Sequence, residues 1–140
     1  EADTVVVAGM GGPLMERILQ GRLEDFAHFV LSPQSEIPHF RRFLLTEGMQ
    51  IDEETMLIDE GKYYVILNVS QRADAAFSDS MYVTEEDFLY GGRLLRRLDP
   101  VLKSFLEKEK TRYEGILRQT DSLELRTAYQ HCMNALEAYR

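Results

Sequence analysis

The chain has 140 residues, of which 44% are hydrophobic, and a formal net charge of −8 at pH 7. Such a length can build one sizeable core or two small ones. No run approaches the roughly 18 to 20 apolar residues of a membrane span, and no signal segment opens the chain. The acidic balance disfavours attraction of nucleic acid to the whole surface but allows a local basic patch. We therefore expect a globular, cytoplasmic protein with no membrane partner.

Valines followed by glycines form the most informative stretch, at residues 5–13 (Val-Val-Val-Ala-Gly-Met-Gly-Gly-Pro). Three β-branched residues in succession favour a strand buried on both faces, as in a parallel sheet flanked by helices. The glycines allow a sharp turn and the close approach of a ligand, and Pro13 suits the first turn of a helix. Ligands of open α/β sheets bind beyond the carboxyl ends of the strands, which makes this turn a candidate site.

Three interpretations of the turn can be compared. A phosphate-binding P-loop is excluded, because Gly12 is followed by Pro13 and Leu14 instead of Lys and Ser or Thr. A dinucleotide-binding fingerprint matches only in part, since Leu14 stands where its third glycine belongs. The glycines by themselves leave open the third possibility, that they merely permit a tight connection.

The cysteine and histidine content argues against disulfide and metal chemistry. Cys132 is the single cysteine, which excludes an internal disulfide, and it lies within a helical apolar pattern typical of a core residue. His28, His39 and His131 lack paired ligand spacing, so we expect no metal site.

Strands and helices alternate up to residue 70. After the first strand, the pattern predicts a helix to Gln20, a strand at Phe26–Leu31, a helix at Ile37–Glu47 and two antiparallel strands at Met49–Leu57 and Tyr63–Val69. Two parallel crossovers followed by a hairpin make half of a doubly wound sheet with an unfinished edge. We expect another segment to pair with the strand at residues 5–7.

The next part of the chain predicts a connection with one short helix. Residues 72–80 are small and polar, as in a linker. Thr84 is a typical N-cap, and Gly91-Gly92 is expected to interrupt the helix that it starts.

Two apolar stripes, beginning at Pro100 and near Asp121, predict an antiparallel, coiled-coil-like helical hairpin with arms roughly 30 Å long. Asp121 and Glu124 resemble a capping box and place the start of the second helix at Asp121. Such a striped pair is typical of a packing or interaction element, so we interpret the hairpin as an arm.

Four short motifs resemble the bacterial tRNA (adenine-N1)-methyltransferases that act on position 22. They are Ala8-Gly9-Met10-Gly11-Gly12, Leu31-Ser32-Pro33-Gln34, Arg42-x-Leu44 and Gly61-Lys62-Tyr63-Tyr64. The resemblance covers nearly the whole chain and implies an α/β fold, the C-terminal half of a class I, Rossmann-like methyltransferase sheet followed by an α-helical antiparallel hairpin. The N-terminal half of such an enzyme is missing from the chain, and an initial Glu1 in place of Met agrees with an internal start point.

This resemblance implies methylation of adenine N1 in tRNA with S-adenosyl-L-methionine as cofactor, and it implies no specific catalytic acid or base. Residues expected at the cofactor and the edge of the target base are Ala8, Gly9, Met10, Gly11 and Gly12. Residues expected at the substrate are Pro33, Gln34, Tyr63, Tyr64, Arg93, Arg96 and Arg97. Arg41 and Arg42 are a further candidate pair for tRNA phosphates.

The implied partners are tRNA and the missing N-terminal half, without which the 140-residue chain is expected to have little or no activity. The unpaired edge strand allows self-association as well. A competing explanation for the tyrosines is ordinary packing within the strand. A competing explanation for the arginines is that they form a solvated face that binds no ligand. Two other functions stay open here, a non-enzymatic interaction module and a nucleotide-dependent oxidoreductase. We expect three regions: 1–70, half of the methyltransferase domain; 71–98, a linker with a short helix; and 99–140, the hairpin domain.

Overall fold

The computed structural model describes residues 3–72 and 80–140, so most of the predicted linker lies outside the described residues. Its strands are β1 (Thr4–Met10), β2 (His28–Pro33), β3 (Met49–Asp59) and β4 (Lys62–Gln71). Its helices are α1 (Gly12–Leu19), α2 (Ile37–Thr46), α3 (Gly92–Arg96), α4 (Pro100–Leu117) and α5 (Leu123–Glu137), and a π-helical turn at Asp87–Gly91 precedes α3. None of the helices in these two ranges is long and apolar enough to cross a membrane.

The sheet confirms the predicted order of elements. β1 pairs in parallel with β2, and β4 lies antiparallel between β2 and β3, which gives the order β1-β2-β4-β3. β2 starts at His28, later than predicted, and Phe26 packs edge-on against Phe29 instead of joining the strand. β1 and β3 are therefore the edge strands of an α/β half-sheet.

Only one face of the sheet carries the core. Alternate strand residues such as Leu31 and Leu67 are fully buried together with Met15 of α1 and Phe40 of α2. On the opposite face, Val6 of β1 is 67% exposed. The expectation that the valine strand is buried on both faces is therefore wrong for this chain, because both crossover helices pack on the same side.

The uncovered face forms an apolar trough of about 560 Å³. Val6, Val30, Ile66 and Leu57 contribute to it, one from each of the four strands. An exposed apolar surface of this kind typically marks a contact with another segment or protein.

Residues 80–98 pack against the sheet and end in α3. Thr84 is the predicted N-cap: its hydroxyl accepts from the Asp87 N–H at 3.2 Å, and the Asp87 carboxylate accepts from the Thr84 N–H at 2.9 Å. The predicted interruption at Gly91-Gly92 is confirmed, because the π-helical turn ends at Gly91, whose φ of 101° and ψ of 107° are not helical, and α3 starts anew at Gly92. Gly92 is required there for packing, since a Cβ would lie 1.6 Å from the Met81 carbonyl oxygen.

α4 and α5 form the predicted antiparallel hairpin, called the arm below. The Tyr139 hydroxyl donates to the Asp99 carbonyl at 2.8 Å near the base of the arm. Cys132 is fully buried between the helices and donates to the Leu106 carbonyl at 3.3 Å, which confirms its role in the core.

The second helix of the arm begins at a different cap from the one predicted. Ser122 is the N-cap, and its hydroxyl accepts from the Leu125 N–H at 3.3 Å. Asp121 instead forms an exposed ion pair with Arg126 at 3.1 Å. Ser122 is closer to the first turn than Asp121, because it directly precedes Leu123 and has the extended backbone of an N-cap.

Candidate active-site edge

Three chain segments meet where β1 and β2 end and β4 begins. We call this region the carboxyl edge and define it by residues 8–12, 33–36 and 62–64. The Gln34 N–H donates to the Met10 carbonyl at 2.9 Å, and the Ser32 hydroxyl donates to the Val65 carbonyl at 2.9 Å. The structure thus brings the predicted glycine turn, Pro33-Gln34 and the two tyrosines to one side of the sheet.

Gly9 leaves bare main chain exposed at this edge. It lies inside β1 at a bulge, where the pairing with β2 shifts between Ala8 and Met10. Its φ of +78° favours glycine, and no atom lies within 4 Å of the position that a Cβ would take. Ala8 is exposed as well, so a ligand can approach the backbone here without meeting a bulky side chain.

Gly11 and Gly12 face protein instead of open space. The Gly12 N–H donates to the Ser35 carbonyl at 3.0 Å, and a Cβ on Gly12 would lie 2.5 Å from that oxygen. A Cβ on Gly11 would lie 2.5 Å from the Ser35 hydroxyl. These two glycines hold the loop after β2 against the start of α1, a contact that the sequence pattern did not indicate.

Pro33 and Gln34 differ in accessibility. Pro33 is buried at the end of β2, whereas the Gln34 side chain is exposed at the carboxyl edge. Of the two, Gln34 is the side chain that a ligand at this edge can reach.

The two tyrosines point to opposite faces of β4, as strand alternation predicts. The Tyr63 ring packs edge-on against Phe105 of α4 at 5.2 Å between centroids, and its hydroxyl is 2.8 Å from the Ser104 hydroxyl. Lys108 lies over the same ring, with Nζ 5.4 Å from the centroid. Tyr64 instead lines the uncovered trough. Tyr63 therefore joins the arm to the carboxyl edge.

Arg93, Arg96 and Arg97 surround a small pocket of about 240 Å³ beside β3. Arg93 donates to the Ile51 carbonyl at 2.6 Å, and Arg97 pairs with the carboxylate of Glu53. At about 3.4 Å per residue, the stretch from Glu53 to the end of β3 spans roughly 20 Å. The arginine cluster therefore lies along the outer strand, at a distance from the carboxyl edge.

Arg96 and Asp87 form an ion pair that also fixes the Thr84 cap. Arg96 donates two hydrogen bonds to the carboxylate, at 2.9 and 3.3 Å. Burial acts to raise the pKa of Asp87, but the hydrogen bonds from Arg96 and from the N–H groups of Thr84 and Val83 outweigh it and lower the pKa below its usual value.

Arg41 and Arg42 have different surroundings from those expected. Arg41 is buried, so the expectation that it contacts phosphate is wrong. Arg42 is exposed, pairs with Glu85 and stacks over the Phe88 ring at 4.0 Å from the centroid. Within residues 3–72 and 80–140, no group of three or more His, Cys, Asp or Glu side chains is arranged to hold a metal ion.

The amino-acid sequence is similar to those of known tRNA methyltransferases. The family model described as TrmK, tRNA (adenine(22)-N(1))-methyltransferase, matches residues 1–140. The chain is 35% identical over 113 residues to a candidate tRNA methyltransferase of Mycoplasma pneumoniae, which covers 81% of this chain and 48% of that protein. It is 33% identical over 85 residues to the tRNA (adenine(22)-N(1))-methyltransferase of Bacillus subtilis, which covers 59% of this chain and 34% of that protein.

Solved structures share the fold. The structure of Sp1610 from Streptococcus pneumoniae in complex with S-adenosyl-L-methionine is 28% identical, with a TM-score of 0.81 over 96% of this chain and 60% of that chain. The chain thus spans half or less of the curated relatives that it matches, at 48% and 34% of their lengths. Because the family model covers every residue, the chain belongs to the TrmK family of tRNA (adenine(22)-N(1))-methyltransferases.

Proposed function

We propose that this chain forms one half of an S-adenosyl-L-methionine-dependent methyltransferase that modifies N1 of an adenine in tRNA, at position 22 as in the family. The observation that carries the proposal is the bare main chain at Gly9, which borders open space at the carboxyl edge of a chain matched throughout by this family. Ala8, Met10, Gly11 and Gly12 complete the proposed cofactor segment, with Gly12 acting through its contact with Ser35.

The reaction asks little of acid or base side chains. S-adenosyl-L-methionine, when bound, supplies an electrophilic methyl group on a sulfonium, and the adenine N1 lone pair is the nucleophile. The chain has to orient donor and acceptor and exclude water, and orientation alone can supply roughly 7–11 kcal/mol of a barrier. An exposed backbone segment without side chains suits that requirement, because it lets both reactants come close.

On the substrate side of the site, the target adenine leaves its stack to reach the carboxyl edge, at a cost of a few kcal/mol. The base is contacted by the exposed Gln34, next to Pro33, and by one of the two tyrosines, Tyr64 or Tyr63. Arg93, Arg96 and Arg97 contact tRNA phosphates along β3, in exchange for part of their present pairing with carboxylates.

The uncovered trough and the free edge of β1 support a second part of the proposal. A further polypeptide segment, the N-terminal half of the methyltransferase domain, pairs with β1 and covers Val6 and its neighbours. The complete enzyme then works in the cytoplasm, where tRNA is modified. The competing proposal is that a second copy of this chain pairs with β1 at the same edge.

A complementation assay tests this function. The chain is mixed with the part of the Bacillus subtilis relative that it does not match, and transfer of a labelled methyl group to unmodified tRNA is measured. We expect transfer with both polypeptides and none with the chain alone, which should also fail to bind S-adenosyl-L-methionine in calorimetry. A dimer of the chain that resists the added segment, or micromolar cofactor binding by the chain alone, would contradict the proposal.

Gly9 and Gly21 provide a matched pair for the cofactor segment. Both have a left-handed backbone, with φ of +78° and +80°, and neither has an atom within 4 Å of the Cβ position. Substitution by alanine therefore strains both backbones alike, but only Gly9→Ala places a methyl group at the carboxyl edge. We expect Gly9→Ala to lower methyl transfer about tenfold more than Gly21→Ala, and equal effects would exclude Gly9 from the site.

A further inference from the structure

A buried ion pair joins α2 to β3 close to the base of the arm. Arg41 is 1% exposed and Glu54 is 0% exposed. The Arg41 guanidinium donates twice to the carboxylate, from Nε to Oε1 at 3.1 Å and from Nη2 to Oε2 at 2.9 Å. This two-bond geometry fixes the plane of the guanidinium.

The remaining nitrogen of Arg41 reaches the segment that leads to the arm. Nη1 donates to the carbonyl oxygens of Phe88 at 2.7 Å and Leu89 at 3.2 Å. Both residues belong to the π-helical turn Asp87–Gly91, where the wider helical spacing departs from the usual hydrogen-bond ladder. Arg41 therefore holds the irregular turn against the sheet.

Tyr82 completes the same group of contacts. Its hydroxyl donates to Glu54 Oε1 at 2.5 Å. Burial, followed by the neighbouring Glu54 carboxylate, raises the pKa of Tyr82, so the phenol keeps its proton as a hydrogen-bond donor. We refer to Arg41, Glu54 and Tyr82 as the root cluster.

Stability alone does not account for the root cluster. Burial removes both charges from water, and apolar side chains of similar volume often stabilise a core equally well. Apolar contacts are non-directional, whereas the fork of an arginine fixes the orientation of every group that it touches. The root cluster joins α2, β3 and residues 82–89 at one point, and so fixes the angle at which the chain leaves the sheet.

The arm itself touches the sheet on the carboxyl edge, away from the root cluster. There Tyr63 contacts Phe105 and Ser104 of α4. A cavity of about 100 Å³, lined by residues that include Arg41, Tyr63 and Phe105, lies between the two points. Leu102 and Leu106 of α4 are fully buried beside this joint, and the polar contacts at its two ends add the directional constraints that apolar packing lacks.

We propose that Arg41 and Glu54 are positioning residues that hold the arm in one direction over the carboxyl edge, so that RNA lying along the arm presents its target base there. The statement about RNA rests on the proposed function, whereas the fixed direction of the arm does not.

Distance measurement between spin labels tests the direction of the arm in the chain itself. Labels are placed by Gln20→Cys after α1 and Gln119→Cys at the tip of the arm, both at exposed positions. Burial raises the pKa of the Cys132 thiol to about 11, so this thiol stays unlabelled near pH 7. We expect one narrow distance distribution, and a distribution about twice as wide when Arg41→Met is combined with Glu54→Leu.

The matched control is the ion pair of the exposed Arg112 with the half-buried Glu109. It has the same two-bond geometry, at 3.0 and 3.0 Å, but lies within α4. Arg112→Met combined with Glu109→Leu should leave the distribution narrow. An unchanged width in the Arg41 and Glu54 double variant would overturn the proposal. If circular dichroism shows that this variant is unfolded, Tyr82→Phe, which removes only a hydroxyl, must widen the distribution for the proposal to stand.

Steady-state kinetics of the complemented enzyme test the statement about RNA. We expect the Arg41 and Glu54 double variant to raise KM for tRNA about fivefold and to leave KM for S-adenosyl-L-methionine unchanged. Equal changes in both constants would indicate general damage and contradict a positioning role. Absence of methyl transfer by the unmodified complemented enzyme would overturn the proposed function, while the distance measurement would still decide the direction of the arm.

Discussion

Gly9 and Gly12 lie three positions apart, and each position requires glycine for a different physical reason. Gly9 has a left-handed backbone and borders open space, whereas Gly12 lies against the Ser35 carbonyl oxygen. A side chain at Gly9 would obstruct a ligand, but one at Gly12 would push apart two loops of the protein. The glycine turn therefore combines a ligand wall with a structural contact.

Alanine substitutions separate this structural contact from ordinary helix effects. Gly12→Ala would place a methyl group 2.5 Å from a backbone oxygen, and we expect it to lower the free energy of unfolding by about 1–3 kcal/mol. Gly115→Ala on α4 meets no atom within 4 Å and should raise this free energy by up to about 1 kcal/mol. Urea unfolding of the two variants measures both changes. Equal midpoints would refute the assigned role of Gly12.

At the scale of elements, the Thr84 cap depends on an ionised Asp87. The low pKa of Asp87 means that its contribution to stability is present above the unfolded value of about 3.9 and is lost as the pH falls through the folded value. We expect Asp87→Asn to lower the free energy of unfolding by about 1 kcal/mol at neutral pH. The difference in the free energy of unfolding between Asp87→Asn and the unmodified chain should decrease below about pH 4.

Asp121→Asn is the control for this prediction, because Asp121 is exposed and caps no helix. Its effect should stay within about 0.5 kcal/mol at every pH. Thermal unfolding followed from pH 3 to pH 7 compares the variants. A constant cost of Asp87→Asn across this range would show that ionisation of Asp87 does not stabilise the cap.

Some elements could be predicted from local residues, and others could not. Thr84 with Asp87 three positions later is a local capping signal, and the structure confirms it. Gly91-Gly92 is likewise a local signal for an interrupted helix, and Gly91 has the non-helical φ of +101° that this signal implies. The local pattern does not explain why Gly92 is glycine, which is that the Met81 carbonyl leaves no room for a larger residue. That contact joins positions eleven residues apart, so the local pattern has no access to it.

At the scale of the whole molecule, the uncovered face of the sheet is the main unfinished feature. Val6 and Val83 make it testable, because both valines are highly exposed, at 67% and 71%. Val6→Lys and Val83→Lys should each change the free energy of unfolding of the chain by no more than about 0.5 kcal/mol. In the complementation assay, only Val6→Lys should reduce methyl transfer, by about tenfold or more, because complementation would bury the new charge. Equal activity of the two variants would show that this face stays uncovered in the enzyme.

The location of the candidate site could be predicted, but its wider surroundings could not. The ends of β1 and β2 were identified because glycine and proline mark strand ends in the sequence. Nothing local indicated that Tyr63 contacts the arm at Ser104, or that Arg41 is buried with Glu54. Both contacts depend on where α4 and β3 lie in three dimensions.

The π-helical turn at Asp87–Gly91 has a geometric consequence for the entire hairpin. The turn ends at Gly91, whose φ of +101° lies outside the helical region and redirects the chain before α3 begins. A Cβ at this glycine would lie 2.7 Å from a carboxylate oxygen of Glu54 and 3.0 Å from the Leu94 side chain. The bend at one glycine therefore decides which side of the sheet the hairpin faces, and no larger residue fits there without moving its neighbours.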